Sequence, residues 1–300
     1  SDTGKQIMTA MIDAVRRKEA SGMVERFSHH SFLTLRLCGN ICCGCVIRDE
    51  YSQETVELPG DAVIVATGGM HGLFGNTTGS LSNTGEVTAE LFRLGVPLAN
   101  GEMIQYHPTT VKCGGKRMLI SEAARGEGGR LFAMKDGKQW YFMEEKYPEL
   151  GNLMPRDITA REIWKVSHES EVFLDMTEIS EEIISNKLSG LADDCMTYLH
   201  KDIRKEPVSV LPGIHYFMGG ILVDEQHRTP IQNLCAAGEC CAQYHGANRL
   251  GGNSLLGALY GGRVAAKSAC EQADVVDLSC ATQIDFPPAS QISEIKQLNK

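Results

Sequence analysis

The sequence predicts an α/β domain interrupted by an inserted α+β domain, and three observations predict it. A continuous β-branched run, Ala62-Val63-Ile64-Val65-Ala66, stops at Thr67-Gly68-Gly69, as a strand buried on both faces does when it ends in a close-approach glycine turn. From His215 onward the same β and glycine texture returns. Between these stretches, Gln105 to Pro212 is more charged and holds short amphipathic helices. With 300 residues, 42% hydrophobic and 22% charged, the chain can fill two cores and lies outside the composition of disordered chains.

The elements follow in order. Gly4 to Ala20 sets Ile7, Met11, Ile12 and Val15 at helical spacing and ends in Arg16, Arg17 and Lys18, cations suited to a helix C-terminus. Three β-rich runs, Phe32–Leu37, Ile41–Ile47 and Glu54–Leu58, predict a small antiparallel ribbon. Thr84–Leu94 reads as a helix closed by Gly95 with Pro97 beyond. The middle predicts helices over 156–166, 180–188 and 191–200, with Pro155 at a position where a missing N–H costs nothing, and one strand at Val172–Leu174. After it come a hairpin through Gly219-Gly220 and Ile221–Val223, a strand at Leu234–Ala237, a helix from Asn253 to about Ala273, and an extended tail. The division expected is 1–104 and 214–273 for the interrupted domain, 105–213 for the insertion and 274–300 for the tail. The chain opens at Ser1 directly on a helical pattern, which suggests that further sequence precedes it.

Charge and cysteine usage narrow the function. Lys+Arg 29 against Asp+Glu 38 gives 29 − 38 = −9, and no basic run offers the cationic surface that nucleic acid requires. No apolar stretch approaches the roughly 20 residues that span a bilayer, and no secretory signal pattern opens the chain, so a soluble, cytoplasmic protein is expected. Eleven cysteines in a chain of this size read as thiols. The cluster Cys38, Cys42, Cys43 and Cys45 lacks metal-ligand spacing, so strand packing is expected and no metal.

Several segments can carry chemistry. His107 precedes Pro108, which holds its backbone extended and presents the imidazole from a stiff turn; His215 precedes Gly219-Gly220, where backbone is crowded against something. Glu122 and Arg125 share a face of one helical turn, and Arg156 starts a helix. The densest stretch, Gly238 to Leu256, combines a glycine-lined loop, Arg249 and a helix opening at Asn253-Ser254, which together offer free backbone N–H groups at a positive helix end.

In order and spacing these segments resemble one family, the flavoprotein subunits of fumarate reductase and succinate dehydrogenase with the related L-aspartate oxidases. The matching residues are Ala66-Thr67-Gly68-Gly69, Gln105-Tyr106-His107-Pro108-Thr109, Ser121-Glu122 with Arg125-Gly126-Glu127-Gly128-Gly129, Pro155-Arg156-Asp157, His215-Tyr216 with Met218-Gly219-Gly220, and His245-Gly246-Ala247-Asn248-Arg249-Leu250. The resemblance implies an FAD-binding α/β domain with an inserted α+β capping domain, and a small dicarboxylate held beside the flavin. It implies that His107, Ser121, His215 and Arg249 grip the substrate, that Arg156 donates the proton and that Glu122 and Arg125 reprotonate it. It gives Ala66, Thr67, Gly68, Glu86, Glu239, Ser254 and Leu255 to FAD. It further implies fumarate–succinate interconversion with an iron–sulfur or other electron-transfer partner, through which the chain would sit at the inner face of a membrane. L-aspartate oxidation, reduction of another unsaturated carboxylate, and a non-catalytic fragment remain as alternatives.

The chain departs from the family pattern in four places. Glu86-Val87 follows Thr84-Gly85 where Asp-Gly is usual, Ser121 stands for Thr, Phe217 replaces a small polar residue, and no GxGxxG fingerprint is present. The last departure predicts that this stretch alone binds FAD weakly, and Phe217 bears on which substrate is taken.

Overall fold

The computed structural model describes residues 3–273. Helix α1 (Thr3–Ala20) lies on the surface with no buried residue. Strands β1 (His30–Cys38), β2 (Ile41–Asp49) and β3 (Thr55–Pro59) form the expected antiparallel ribbon. Strand β4 (Val63–Val65) is followed by α2 (His71–Phe74), α3 (Glu86–Arg93) and β5 (Leu98–Ala99). Burial of β4 on both faces is not what forms. Ile64 is 41% exposed, because β4 pairs only with the parallel strand β14 (Leu234–Ala236) and one side of that two-stranded sheet stays uncovered among the described residues.

The middle of the chain is richer in strands than expected. It runs β6 (Ile104–Cys113), β7 (Lys116–Leu119), α4 (Glu122–Gly126), β8 (Arg130–Lys135), β9 (Lys138–Trp140), α5 (Phe142–Lys146), α6 (Arg156–Val166), β10 (Val172–Asp175), α7 (Glu181–Lys187), α8 (Ser189–Leu199), β11 (Val208–Ser209) and β12 (Leu211–Phe217). One sheet has the order β11-β10-β8-β9 and another β12-β6-β7, every pair antiparallel. Both positions expected to divide the chain, 104/105 and 213/214, fall inside β6 and β12. These two strands pair directly, Gly213 opposite His107 and Ile214 opposite Tyr106. The chain therefore enters and leaves its middle through neighbouring strands.

Beyond β12, the expected hairpin at Gly219-Gly220 does not form. Strand β13 (Gly220–Ile221) pairs with β5, Gly220 opposite Ala99. The glycine pair instead permits close approach: a Cβ on Gly219 would collide with the carbonyl of Asn100, and one on Gly220 with that of Cys240. Helix α9 (Asn253–Gln272) closes the described chain; the expected tail lies outside the described residues.

Two main cores result. One draws its buried residues from between Ile120 and Val210, among them Leu131, Ile163 and Leu174. The other gathers Leu35, Val65, Leu91, Val96, Ile221 and Leu234 from the flanking stretches. Cys42 and Cys43 are buried in the ribbon, and the described residues contain no group of side chains able to hold a metal. Cys38 is disulfide-bonded, so the expectation of thiols fails there; composition reports compartment, whereas a disulfide needs only local Cβ proximity.

Candidate active site

The paired strands β6 and β12 bring His107 and His215 together, with ring centroids 5.2 Å apart at 72°. His107 is 1% exposed; its Nδ1 sits 3.3 Å from the Thr109 N–H and 3.2 Å from the Thr109 carbonyl, and its Nε2 has no partner. His215 Nδ1 meets the Thr78 hydroxyl at 2.8 Å. Burial, followed by the neighbouring His215, holds His107 well below the ordinary histidine range. Burial, then Arg249 and Arg156, pushes His215 down to about 3. Both imidazoles are neutral at pH 7.

Arg249 faces them from the loop after Gly246. It is 3% exposed, its guanidinium lies 4.5 Å from the Tyr216 ring centroid, and its Nε has no partner. Burial and repulsion from Arg156 lower it to about 10. Arg156, the first residue of α6, reaches the Glu122 carboxylate through Nη2 at 2.8 Å and Nε at 3.1 Å. Glu122 also accepts from Arg125 Nη2 at 3.4 Å. Burial would raise the Glu122 carboxyl, but its hydrogen bonds and charge pairing with Arg156 outweigh this and hold it below the usual range. Ser121 caps α4, its Oγ accepting the Ala123 N–H at 3.2 Å.

Three features of this arrangement were not singled out from the sequence. Gln105 ties the two arginines together: its Nε2 donates to the Arg249 carbonyl at 2.7 Å, and its Oε1 accepts from Arg156 Nη1 at 3.1 Å. Gly251 lets the Arg249 loop close on the ion pair, since a Cβ there would lie 2.8 Å from Glu122 Oε2 and 3.3 Å from Arg156 Nη2. His245 has a buried Nε2 without a partner. Gln105 and His245 lie inside motifs already quoted, but their roles depend on partners far along the chain.

The residues expected to touch a cofactor separate into two groups. Thr67, Gly68 and Glu86 line one cavity of about 360 Å³. Glu239, Ser254 and Leu255 line another of about 320 Å³, together with His71 and His215. Gly69 joins them: it lines the first cavity and abuts Glu239. Ala66 is exposed just beyond β4 and lines neither. Glu239 Oε1 accepts from the Phe217 N–H at 2.9 Å and meets His71 Nε2 at 3.0 Å. Phe217 is buried against His71, centroids 5.1 Å apart, and lines neither cavity.

His107 Nε2 and Arg249 Nε are buried without partners, and Arg249, Arg156 and Arg125 lie within electrostatic reach of the two imidazoles, a set of cationic and polar groups able to receive an anion.

Residues 1–255 match the family of FAD binding domains. The chain is 42% identical over 286 residues to the succinate dehydrogenase flavoprotein subunit of Bacillus subtilis, covering 92% of this chain and 49% of that protein. It is 34% identical over 264 residues to the L-aspartate oxidase of Clostridium perfringens, covering 86% and 56%. Among solved structures, an E. coli quinol fumarate reductase superposes with a TM-score of 0.78 at 30% identity, covering 92% of this chain and 49% of that one. The chain thus spans about half the length of the relatives it matches. The residues present fit part of a flavin site: Gly68 and Gly69 permit close approach at the first cavity, while Ser254, Glu239 and Leu255 supply polar and apolar walls at the second.

Proposed function

The chain belongs to the FAD binding domain family, and from that membership we propose that it is the dicarboxylate-binding part of an FAD-dependent oxidoreductase that interconverts fumarate and succinate. The observation that carries this reading is the gathering of His107, His215, Arg249 and the Arg156–Glu122 pair within electrostatic reach of one another, with His107 Nε2 and Arg249 Nε buried and unpartnered. When bound, FAD would supply or accept the hydride at one alkene carbon. Thr67, Gly68, Glu86, Glu239, Ser254 and Leu255 would hold it.

The chain's own groups perform the remaining work. Arg249 and the two histidines grip the carboxylates, and Ser121 contributes its hydroxyl proton. Charge-assisted contacts at both ends orient the dianion and polarise the bond between them. Arg156 gives a proton to the second alkene carbon; Glu122, ion-paired with it, and Arg125 return one. Gln105 keeps Arg156 in register with the Arg249 clamp. The residues 105–213 act as the capping domain and 1–104 with 214–273 as the flavin-side domain. The relatives named as flavoprotein subunits support an electron-transfer partner, iron–sulfur or other, and attachment to a membrane face through it; no helix among the described residues is long and apolar enough to cross a membrane.

Arg156→Lys in the full-length flavoprotein tests the reading. Turnover with fumarate is expected to fall by at least about 10²-fold, the size of a general-acid contribution, while the bound-flavin spectrum is unchanged. Parent-like turnover would remove Arg156 from the chemistry. Assaying fumarate reduction beside oxygen-dependent consumption of L-aspartate separates this activity from that of the L-aspartate oxidase relative.

A further inference from the structure

His215 can donate to an anion only through a nitrogen that carries a hydrogen, and a neutral imidazole has one hydrogen for its two nitrogens. His215 is neutral at pH 7, so the partner of one nitrogen decides what the other can do. Nδ1 lies 2.8 Å from the Thr78 hydroxyl, while Nε2 takes no hydrogen bond among the described residues.

The direction of the Nδ1 contact follows from where the Thr78 hydroxyl hydrogen can go. One destination is the Ile214 carbonyl, at 3.4 Å. That oxygen already accepts the Thr78 N–H at 2.9 Å and the Thr77 hydroxyl at 3.1 Å, which fill its two lone pairs. A third donor at the outer edge of hydrogen-bond distance gains little. The other destination is His215 Nδ1 at 2.8 Å, and donation there leaves the imidazole hydrogen on Nε2.

Thr78 is itself held in place. The stretch after α2, residues 75–79, lies along β12: the Ile214 N–H donates to the Asn76 carbonyl at 3.0 Å, and Thr77 forms a parallel bridge with Ile214. Thr77 is fully buried; its Oγ1 accepts the Gly79 N–H at 3.1 Å and meets His71 Nδ1 at 2.8 Å, and His71 Nε2 reaches Glu239 Oε1 at 3.0 Å. His71, Thr78, His215 and Glu239 line one cavity of about 320 Å³. The Thr78 hydroxyl therefore sits on a pinned segment where anion-binding and cofactor candidates share a wall.

Resting on the proposed dicarboxylate binding, we propose that Thr78 is a positioning residue: its hydroxyl donates to His215 Nδ1 and so fixes the tautomer whose Nε2–H binds a substrate carboxylate. Without that donor the two neutral tautomers compete, and the one with a bare Nε2 turns a lone pair toward the anion. Arg156, Glu122 and Arg125 keep their own contacts, so the loss falls on substrate affinity and not on proton transfer.

The test compares the full-length flavoprotein with its Thr78→Val, Thr78→Ser and Arg249→Met variants. It reads the Kd of malonate, kcat and KM for fumarate, and the nitrogen NMR shifts of isotope-labelled histidine, with His215 assigned by the signal missing in His215→Gln. In the parent, Nε2 is expected to be the protonated nitrogen. Thr78→Val keeps the shape and the backbone bonds but lacks the hydroxyl. It is expected to show both tautomers and to raise the malonate Kd and the fumarate KM about tenfold, the weight of one hydrogen bond to a charged group, with kcat within about twofold. Thr78→Ser should restore the tautomer and most of the affinity. A protonated Nδ1 in the parent, parent-like Kd and KM in Thr78→Val, a change confined to kcat, or a loss that Thr78→Ser shares in full overturns the proposal. If Thr78→Val does not fold, the tautomer of the parent and of Thr78→Ser decides. Arg249→Met separates the two failures: unaltered malonate affinity there sinks the dicarboxylate site itself, whereas lost affinity there beside a parent-like Thr78→Val sinks only the role of Thr78.

Discussion

Replacing Arg249 by Met should make the fold more stable and the site useless. In the folded chain burial and repulsion from Arg156 drop the guanidinium from 12.5 to about 10. At 1.36 kcal/mol per unit, that is about 3 kcal/mol held against the native state at neutral pH, where both forms are protonated and the cost is present in full. Met can occupy the place over Tyr216 but forfeits the cation–π contact, about 0.5–1 kcal/mol. The net expectation is a gain of about 2 kcal/mol. Urea unfolding at pH 7.5, with and without malonate as a non-reacting dicarboxylate, measures both halves. At a hundred times its Kd the ligand should add about 2.7 kcal/mol to the parent and nothing to the variant. A variant less stable than the parent, or one that keeps the malonate shift, would refute the claim that Arg249 is strained until an anion arrives.

Two further outcomes follow from the same geometry. His107 and His215 bind protons in the unfolded chain below pH 6.5 but stay neutral in the folded one, His215 down to about 3. Their contribution is therefore intact above 6.5 and is lost as pH falls. At pH 5 the penalty from His215 is about 2 kcal/mol, and His107 acts in the same direction, so the urea midpoint should drop between pH 7 and 5. His215→Gln should flatten that slope; an unchanged slope contradicts the assignment. Gly69→Ala would place a Cβ 2.5 Å from Glu239 Oε1 and 2.7 Å from the Phe217 ring, and Glu239 is already held by His71 and the Phe217 N–H. A loss of about 1–3 kcal/mol is expected, read as a lower thermal midpoint, and a parent-like midpoint would mean the junction of the two cavities has slack.

How much of this was legible in the sequence depends on the range of the forces involved. Helix α6 appears at 156–166 as predicted, because Pro155 and the local apolar spacing act within a turn. The ribbon β1–β3 follows from alternation and turns. Strands β8 and β9 went unread although Asp136-Gly137 is a hairpin signal between them: their exposed Lys135 and Lys138 look like loop charge until the other face is known to be covered. At the site, types of side chain were readable, since Arg, His and Glu in stiff or glycine-rich settings point to anion chemistry. The role of Gln105 was not. A glutamine bonded 144 residues away leaves no periodic trace.

The adjacency of β6 and β12 has an engineering consequence. Thr110 and Leu211 are ladder partners, so the ends of the segment 111–210 leave the rest of the molecule about 5 Å apart. That segment carries a core of its own. Joining the two strands by a tight turn would excise it at the cost of the Arg156–Gln105 bond and the packing of α6 on β6 and β12, and the excised piece would have termini close enough to tether. A molecule wired this way can gain, lose or exchange its middle as one cassette, with the cut placed a few residues from His107 and His215, which both stay with the flanking portion.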